Sequence, residues 1–109
     1  MFHDSEDSRL HYACDGPDDA PPVLLWHGAM CTLRMWDRVV EALADRYRLI
    51  RFDVRGVGES SPPADPTRYS FEQYARDADA LLDHIGVDRV HVWSMAWGSR
   101  AALAYLSLH

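Results

Sequence analysis

A chain of 109 residues is long enough to bury one core of ordinary domain size. Hydrophobic residues make up 48% and charged ones 26%, with a formal net charge of −6 and no Lys/Arg stripe, which fits a globular fold and disfavours a nucleic-acid surface. No apolar run approaches the roughly 20 residues of a membrane span, and the acidic start lacks the basic-then-apolar order of a signal peptide, so a cytoplasmic location is expected.

Residues 1–8 are polar and read as irregular. Arg9-Leu10-His11-Tyr12-Ala13-Cys14 alternates like a strand with one wet face. Asp15-Gly16-Pro17-Asp18-Asp19 carries turn chemistry, and Val23-Leu24-Leu25-Trp26 is an apolar run that suits a strand buried on both faces. His27-Gly28-Ala29-Met30 breaks that strand. Leu33, Trp36, Val39, Val40 and Leu43 then recur at helical spacing and predict an amphipathic helix over 33–46.

Tyr47 to Phe52 reads as a third strand, followed by a loop from Asp53 to Ser61 and by Pro62, Pro63 and Pro66. Ser70 and Gln73 form a capping-box pair at the start of a helix. Phe71, Tyr74, Ala78, Leu81, Leu82 and Ile85 are its apolar stripe, and Gly86 stands at its C-cap. Val87 to Trp93 is a fourth strand, and a helix starts at Trp97 with no stop signal before His109. Strands alternating with helices predict a single α/β domain with a mostly parallel sheet and helices on both faces. Cys14 and Cys31 have no C-x-x-C spacing and read as free thiols, and no metal or cofactor motif is present.

Two loops could carry chemistry. In His27-Gly28-Ala29-Met30, Gly28 allows a sharp turn that would aim the N–H of Ala29 at a developing oxyanion. A lone His-Gly at a strand end is common, and His27 reads as a structural hydrogen-bonding residue, not a base. Asp53-Val54-Arg55-Gly56-Val57-Gly58-Glu59-Ser60-Ser61 lacks the third glycine of a dinucleotide fingerprint, and prolines follow it where a helix should start. A nucleotide-binding domain is therefore disfavoured. Asp53, Arg55 and Ser60 are read as pinning the loop by hydrogen bonds and charge pairing.

The stretch from Arg89 to Ala102 reads as strand, sharp turn and helix start, with Ser94-Met95-Ala96-Trp97-Gly98 at the turn. This resembles the G-x-S-x-G nucleophile elbow of α/β-hydrolases. With the His-Gly turn and the Asp-x-Arg-Gly-x-Gly-x-Ser loop before it, the chain from about residue 9 onward looks like the N-terminal part of such an enzyme. The esterase, enol-lactonase and prolyl-aminopeptidase-like group is the most similar. The resemblance implies a serine hydrolase, with a backbone oxyanion hole at Ala29 and Trp97, a nucleophilic serine at position 96, and an apolar small molecule with an ester, lactone or amide carbonyl as substrate. Met30 and Trp97 are candidate substrate contacts. Trp93 and Met95 are candidates too, although core packing is the more usual role for both.

Two departures stand at the turn. Ala96 has a methyl where attack on a carbonyl requires a hydroxyl, and Ser94 replaces the first glycine. Taking Ser94 as the nucleophile instead would put Val92 and Ala96 at the glycine positions and leave Gly98, Ser99 and Ala102 without their small-residue role. In the resembled fold the acid and the catalytic histidine follow later strands, and His84 and His91 do not substitute for them. The chain as written is thus expected to be inactive. A non-catalytic, small-molecule-binding domain is the alternative. The strand at 87–93 is expected to present a bare edge, so that the 109-residue chain self-associates.

Overall fold

The computed structural model describes residues 1–63, 65, 67 and 69–108. Strands β1 (Phe2–Ser5), β2 (Ser8–Asp15) and β3 (Pro22–Trp26) lead to a 3-10 turn at Leu33–Trp36 and helix α1 (Asp37–Leu43). Strand β4 (Arg48–Phe52), helix α2 (Phe71–Ile85), strand β5 (His91–Ser94) and helix α3 (Trp97–Leu108) follow. The five strands form one sheet in the order β1-β2-β4-β3-β5. β3 runs parallel to β4 and β5, whereas β2 is antiparallel to β1 and β4. The sheet is therefore mixed, with a parallel centre and an antiparallel N-terminal flank.

Alternate residues of the central strands serve opposite faces. Leu24, Trp26, Ile50 and Phe52 pack beneath α2 and α3 with Ala78, Leu81, Ala101 and Ala102. Leu25 and Leu49 face the other way, onto Trp36 and α1. The apolar run in β3 is buried on both sides for this reason, and the layers are three.

Four expectations from the sequence need correction. Residues 2–5 are a strand, not irregular: the hairpin β1-β2 closes through Glu6-Asp7, with Ser5 paired to Ser8. Glu6 adopts φ +52°, where Gly or Asn is usual, and its carboxylate accepts hydrogen bonds from Gln73 and Arg76 of α2. Tertiary contact, not turn propensity, holds this turn.

The helix expected over 33–46 is shorter and starts as a 3-10 turn. Thr32 caps it by accepting the N–H of Arg34 at 3.2 Å, and Leu33 is held by a 2.7 Å bond from its N–H to Asp53 Oδ1. At α2 only half the capping box forms. Ser70 Oγ accepts the Gln73 N–H at 3.1 Å, but the Gln73 side chain turns to Asp77, 3.0 Å away, and to Glu6. Finally, β5 begins at His91, because Val87 and Val90 pack into the core from the approach to the strand. β5 lies at the edge of the sheet, as expected, and no described strand pairs with its outer side.

Arg55 is fully buried, and Asp77 almost so. The guanidinium grips Asp77 twice, Nε to Oδ2 at 2.7 Å and Nη2 to Oδ1 at 2.8 Å, and reaches Asp7 at 2.7 Å through Nη1. Asp77 Oδ1 also accepts Ser5 Oγ at 2.8 Å. Burial pushes the Arg55 pKa down, but the bonds to Asp77 and Asp7 outweigh it and raise the net value above the ordinary one, so the charge persists at every working pH. Removing one partner of such a pair leaves a buried ion uncompensated. Arg55→Met is expected to lower the unfolding free energy by about 3–5 kcal/mol in urea titration. The double variant Arg55→Met/Asp77→Leu should recover at least half of that loss, and no recovery would mean that packing rather than charge pairing dominates here.

Candidate functional site

The ends of β3, β4 and β5 lie on one side of the sheet, and the loops that leave them meet there. His27, the first residue after β3, is buried. Its Nδ1 lies 2.8 Å from the Gly28 carbonyl and its Nε2 lies 3.1 Å from the Val54 nitrogen. One tautomer satisfies both: Nδ1–H donates to Gly28 and Nε2 accepts the Val54 N–H. Burial lowers the His27 pKa below the ordinary 6.5, against smaller opposing effects of the Gly28 carbonyl and Asp53. The neutral ring is a strut between two loops, the structural role read from the sequence.

The loop after β4 is held by its own polar residues. Asp53 Oδ1 takes the Leu33 N–H, while Oδ2 takes the Glu59 N–H at 3.0 Å and lies 3.1 Å from His11 Nδ1. Ser60 Oγ donates to the Asp53 carbonyl at 2.6 Å and accepts the His11 N–H at 2.8 Å. With Arg55 bound as described, the three pinning residues act as the sequence suggests. Gly56 sits at φ +76°, and a Cβ there would fall 2.3 Å from the Tyr69 hydroxyl. Only glycine lets that ring close over the loop.

After β5 the chain turns sharply. Ser94 is still in the ladder opposite Trp26, its Oγ 3.0 Å from Ser99 Oγ. The register that makes Ser94 the special residue of the turn has no support in this geometry. Ala96, by contrast, takes φ +49°, a left-handed conformation that is costly for any side chain with a Cβ. Gly98 opens α3 directly against the end of β3: a Cβ there would lie 2.3 Å from the His27 carbonyl oxygen and 3.0 Å from that of Trp26. Gly28 faces the same turn, with its Cβ position 3.8 Å from the Ala96 Cβ. Among the described residues, no carbonyl or side chain accepts the N–H of Ala29 or of Trp97.

A cleft of about 320 Å3 opens between these loops and α2. Ala29, Met30 and Trp97 line it together, with His27 and Val57 beside them. Trp93 is not in it: its ring packs 5.2 Å from that of Trp36 on the opposite face of the sheet. Met95 is exposed and also outside the cleft lining. The sequence does not single out Tyr69 and Tyr74, which also line the cleft. Tyr74 reads as one more member of the α2 stripe, and nothing in its spacing separates a cleft residue from a core one. Among the described residues, no group of three His, Cys, Asp or Glu is placed to hold a metal, and no helix is long and apolar enough to cross a membrane.

His27 has a measurable pH signature. It binds a proton more weakly folded than unfolded, so its contribution to stability is complete above about pH 6.5 and is lost as pH falls through that value toward the lower folded pKa. His27→Gln, which cannot titrate, should therefore lose less melting temperature than the parent between pH 7.5 and 5.5. An equal or larger loss would contradict a neutral His27.

A family model described as alpha/beta hydrolase fold matches residues 21–109. The protein named probable oxidoreductase EphD of Mycobacterium tuberculosis is 39% identical over 105 residues, covering 94% of this chain and 18% of that protein. The haloalkane dehalogenase of Psychrobacter cryohalolentis is 34% identical over 106 residues, covering 94% of this chain and 35% of the enzyme. The crystal structure of the enol-lactonase from Burkholderia xenovorans superposes with a TM-score of 0.92 at 30% identity, covering 100% of this chain and 42% of that one. The chain thus spans about a third or less of the length of these curated relatives. Strand order, loop pinning and the tight strand-to-helix turn agree with the match in sequence: the chain belongs to the α/β-hydrolase fold family.

Proposed function

We propose that residues 94–98 are a nucleophile elbow with alanine in the attacking position, and that the N–H groups of Ala29 and Trp97 form its oxyanion hole. The observation that carries this reading is the backbone of Ala96, held at φ +49° between β5 and α3. A left-handed alanine costs of order 1–2 kcal/mol relative to its relaxed conformation, and strain of this kind gathers at functional sites. The same turn lifts the side chain of residue 96 out of the sheet, and Ala96 is exposed. A nucleophilic atom there would meet an electrophile held by two unengaged backbone donors. Alanine supplies the geometry without the lone pair. The chain as written accordingly binds a substrate-like molecule and does not open it.

The substrate class follows from the cleft and from what the relatives are named for. A haloalkane and an enol-lactone share an electrophilic carbon bonded to a leaving heteroatom. The family reading of ester, lactone or amide carbonyls sits within that class, and the largely apolar lining suits a small, uncharged member of it. Binding without turnover, the second reading, is favoured for this chain by the single observation that position 96 is alanine. The unpaired β5 edge supports the further proposal that the 109-residue chain self-associates.

The strain and the chemistry can be tested separately. Ala96→Gly should raise the unfolding free energy by about 1 kcal/mol, because glycine accepts positive φ without a Cβ penalty. Ala96→Cys places a thiol at the start of α3, where a helix N-terminus favours the thiolate. With 4-nitrophenyl acetate it should release close to one equivalent of 4-nitrophenolate in a burst faster than that of a free thiol at the same pH. The parent, with Cys14 and Cys31 only, should show no such burst. Turnover by the parent, or an unreactive thiol at position 96, would refute the elbow.

A further inference from the structure

The cleft beside Ala96 has one wall that the family reading leaves without a task. Tyr69, on the approach to α2, and Tyr74, in its first turns, both line it together with Ala29 and Met30. Tyr69 is 42% exposed and Tyr74 half-buried. Among the described residues, neither phenol oxygen has a hydrogen-bond partner, although the Tyr69 hydroxyl is pressed against the Gly56 backbone. Their rings continue into an aromatic cluster. Tyr74 and Trp97 meet edge to face with centroids 5.2 Å apart, and Phe71 lies 6.0 Å from Trp97 and 5.9 Å from Tyr74. Such a wall offers ring edges and faces for a flat guest to pack on.

The charge of the lining narrows the guest further. Arg55 is the one ionised side chain among the described lining residues, and its guanidinium is committed to Asp77 and Asp7. His27 is neutral, with both ring nitrogens bonded. An anion or a cation entering the cleft would lose hydration and find no free counter-charge. A neutral molecule would lose much less. Two phenol groups without partners can donate to an oxygen that carries no charge. Burial first, and the nearby Tyr69 second, raise the Tyr74 pKa above its ordinary 10.0, which keeps it a donor throughout the neutral range.

We propose that this cleft binds an uncharged small molecule with a flat aromatic group and a hydrogen-bond-accepting oxygen, and that the hydroxyls of Tyr69 and Tyr74 are the specificity-determining donors. The aromatic group packs on Tyr74 and Trp97. The oxygen reaches the phenol pair, on the wall facing the Gly28-Ala29 turn. The inference rests on the reading of this cleft as the substrate side of the 94–98 turn and names the class of molecule it selects. At about 320 Å3 the cleft is at the lower end of the range for small-molecule sites, so the guest is compact.

Three probes of similar shape test this with the full chain: methyl benzoate, toluene and benzoate, each titrated by protein-observed NMR. Methyl benzoate is expected to bind more tightly than either of the others. Tyr69→Phe and Tyr74→Phe remove only an oxygen each, and each should weaken methyl benzoate roughly three- to tenfold, the net worth of one hydrogen bond. Toluene binding should be unchanged in both, and a melting curve confirms that each variant folds. Toluene binding as tightly as methyl benzoate, benzoate binding more tightly than its ester, an unchanged Kd in both phenylalanine variants, or no binding by any probe would overturn the proposal. The assay needs no turnover, so it separates from the elbow. Hydroxyl-dependent binding beside an unreactive Ala96→Cys chain would sink the elbow alone, and a thiol burst without hydroxyl dependence would sink this inference alone.

Discussion

A guanidinium buried with no access to water is tolerable only where carboxylates meet it, and Arg55 sets that condition at the junction of three parts of the chain. It leaves the loop after β4, grips Asp77 in the middle of α2, and reaches Asp7 in the β1-β2 turn. Ser5, Glu6 and Gln73 join the same network. The position of α2 over the sheet thus depends on charge pairing as well as on Ala78, Leu81 and Leu82 in the core. Because α2 also carries Tyr74, and the segment before it Tyr69, the ion pair governs one wall of the cleft, which Arg55 itself helps to line.

The opposite wall is governed by close backbone approach. Gly98 lets α3 begin within contact distance of the carbonyls that end β3, and Gly28 faces the same turn from the β3 side. Between them Ala96 is held in a conformation it would not choose alone. Packed cores can support such strain because hydrogen bonds on both sides leave no cheaper path. Met95 N–H donates to the Trp26 carbonyl at 3.2 Å, and Ser99 N–H to that of Ala96 at 2.9 Å.

Much of this is legible in the sequence. The apolar run at Val23–Trp26, the α2 stripe and the Gly86 cap depend on local chemistry, and each forms where its pattern lies. The polar loop at 53–61 was readable because its residue types have few other uses together. The failures have a common cause. Glu6-Asp7 does not look like a hairpin turn, because Glu6 is held there by Gln73 and Arg76 from far along the chain. Gln73 left its capping role because Asp77 and Glu6 offered it buried partners. Trp93 and Trp97 have similar surroundings in sequence, yet one packs edge to face against Trp36 on one side of the sheet and the other lines the cleft.

The alternation of the central strands and helices, the places of the glycine-bearing turns and the methyl at position 96 are written in the sequence alone, because periodicity, glycine placement and side-chain chemistry are local properties. The meeting of distant segments settled that the sheet is mixed, that Ala96 is among the residues held at positive φ, and that Tyr69 and Tyr74 line one cleft with Ala29. Those outcomes turn on which distant segments meet, and that is settled by the joint burial of charge and apolar surface, which no short window of residues contains.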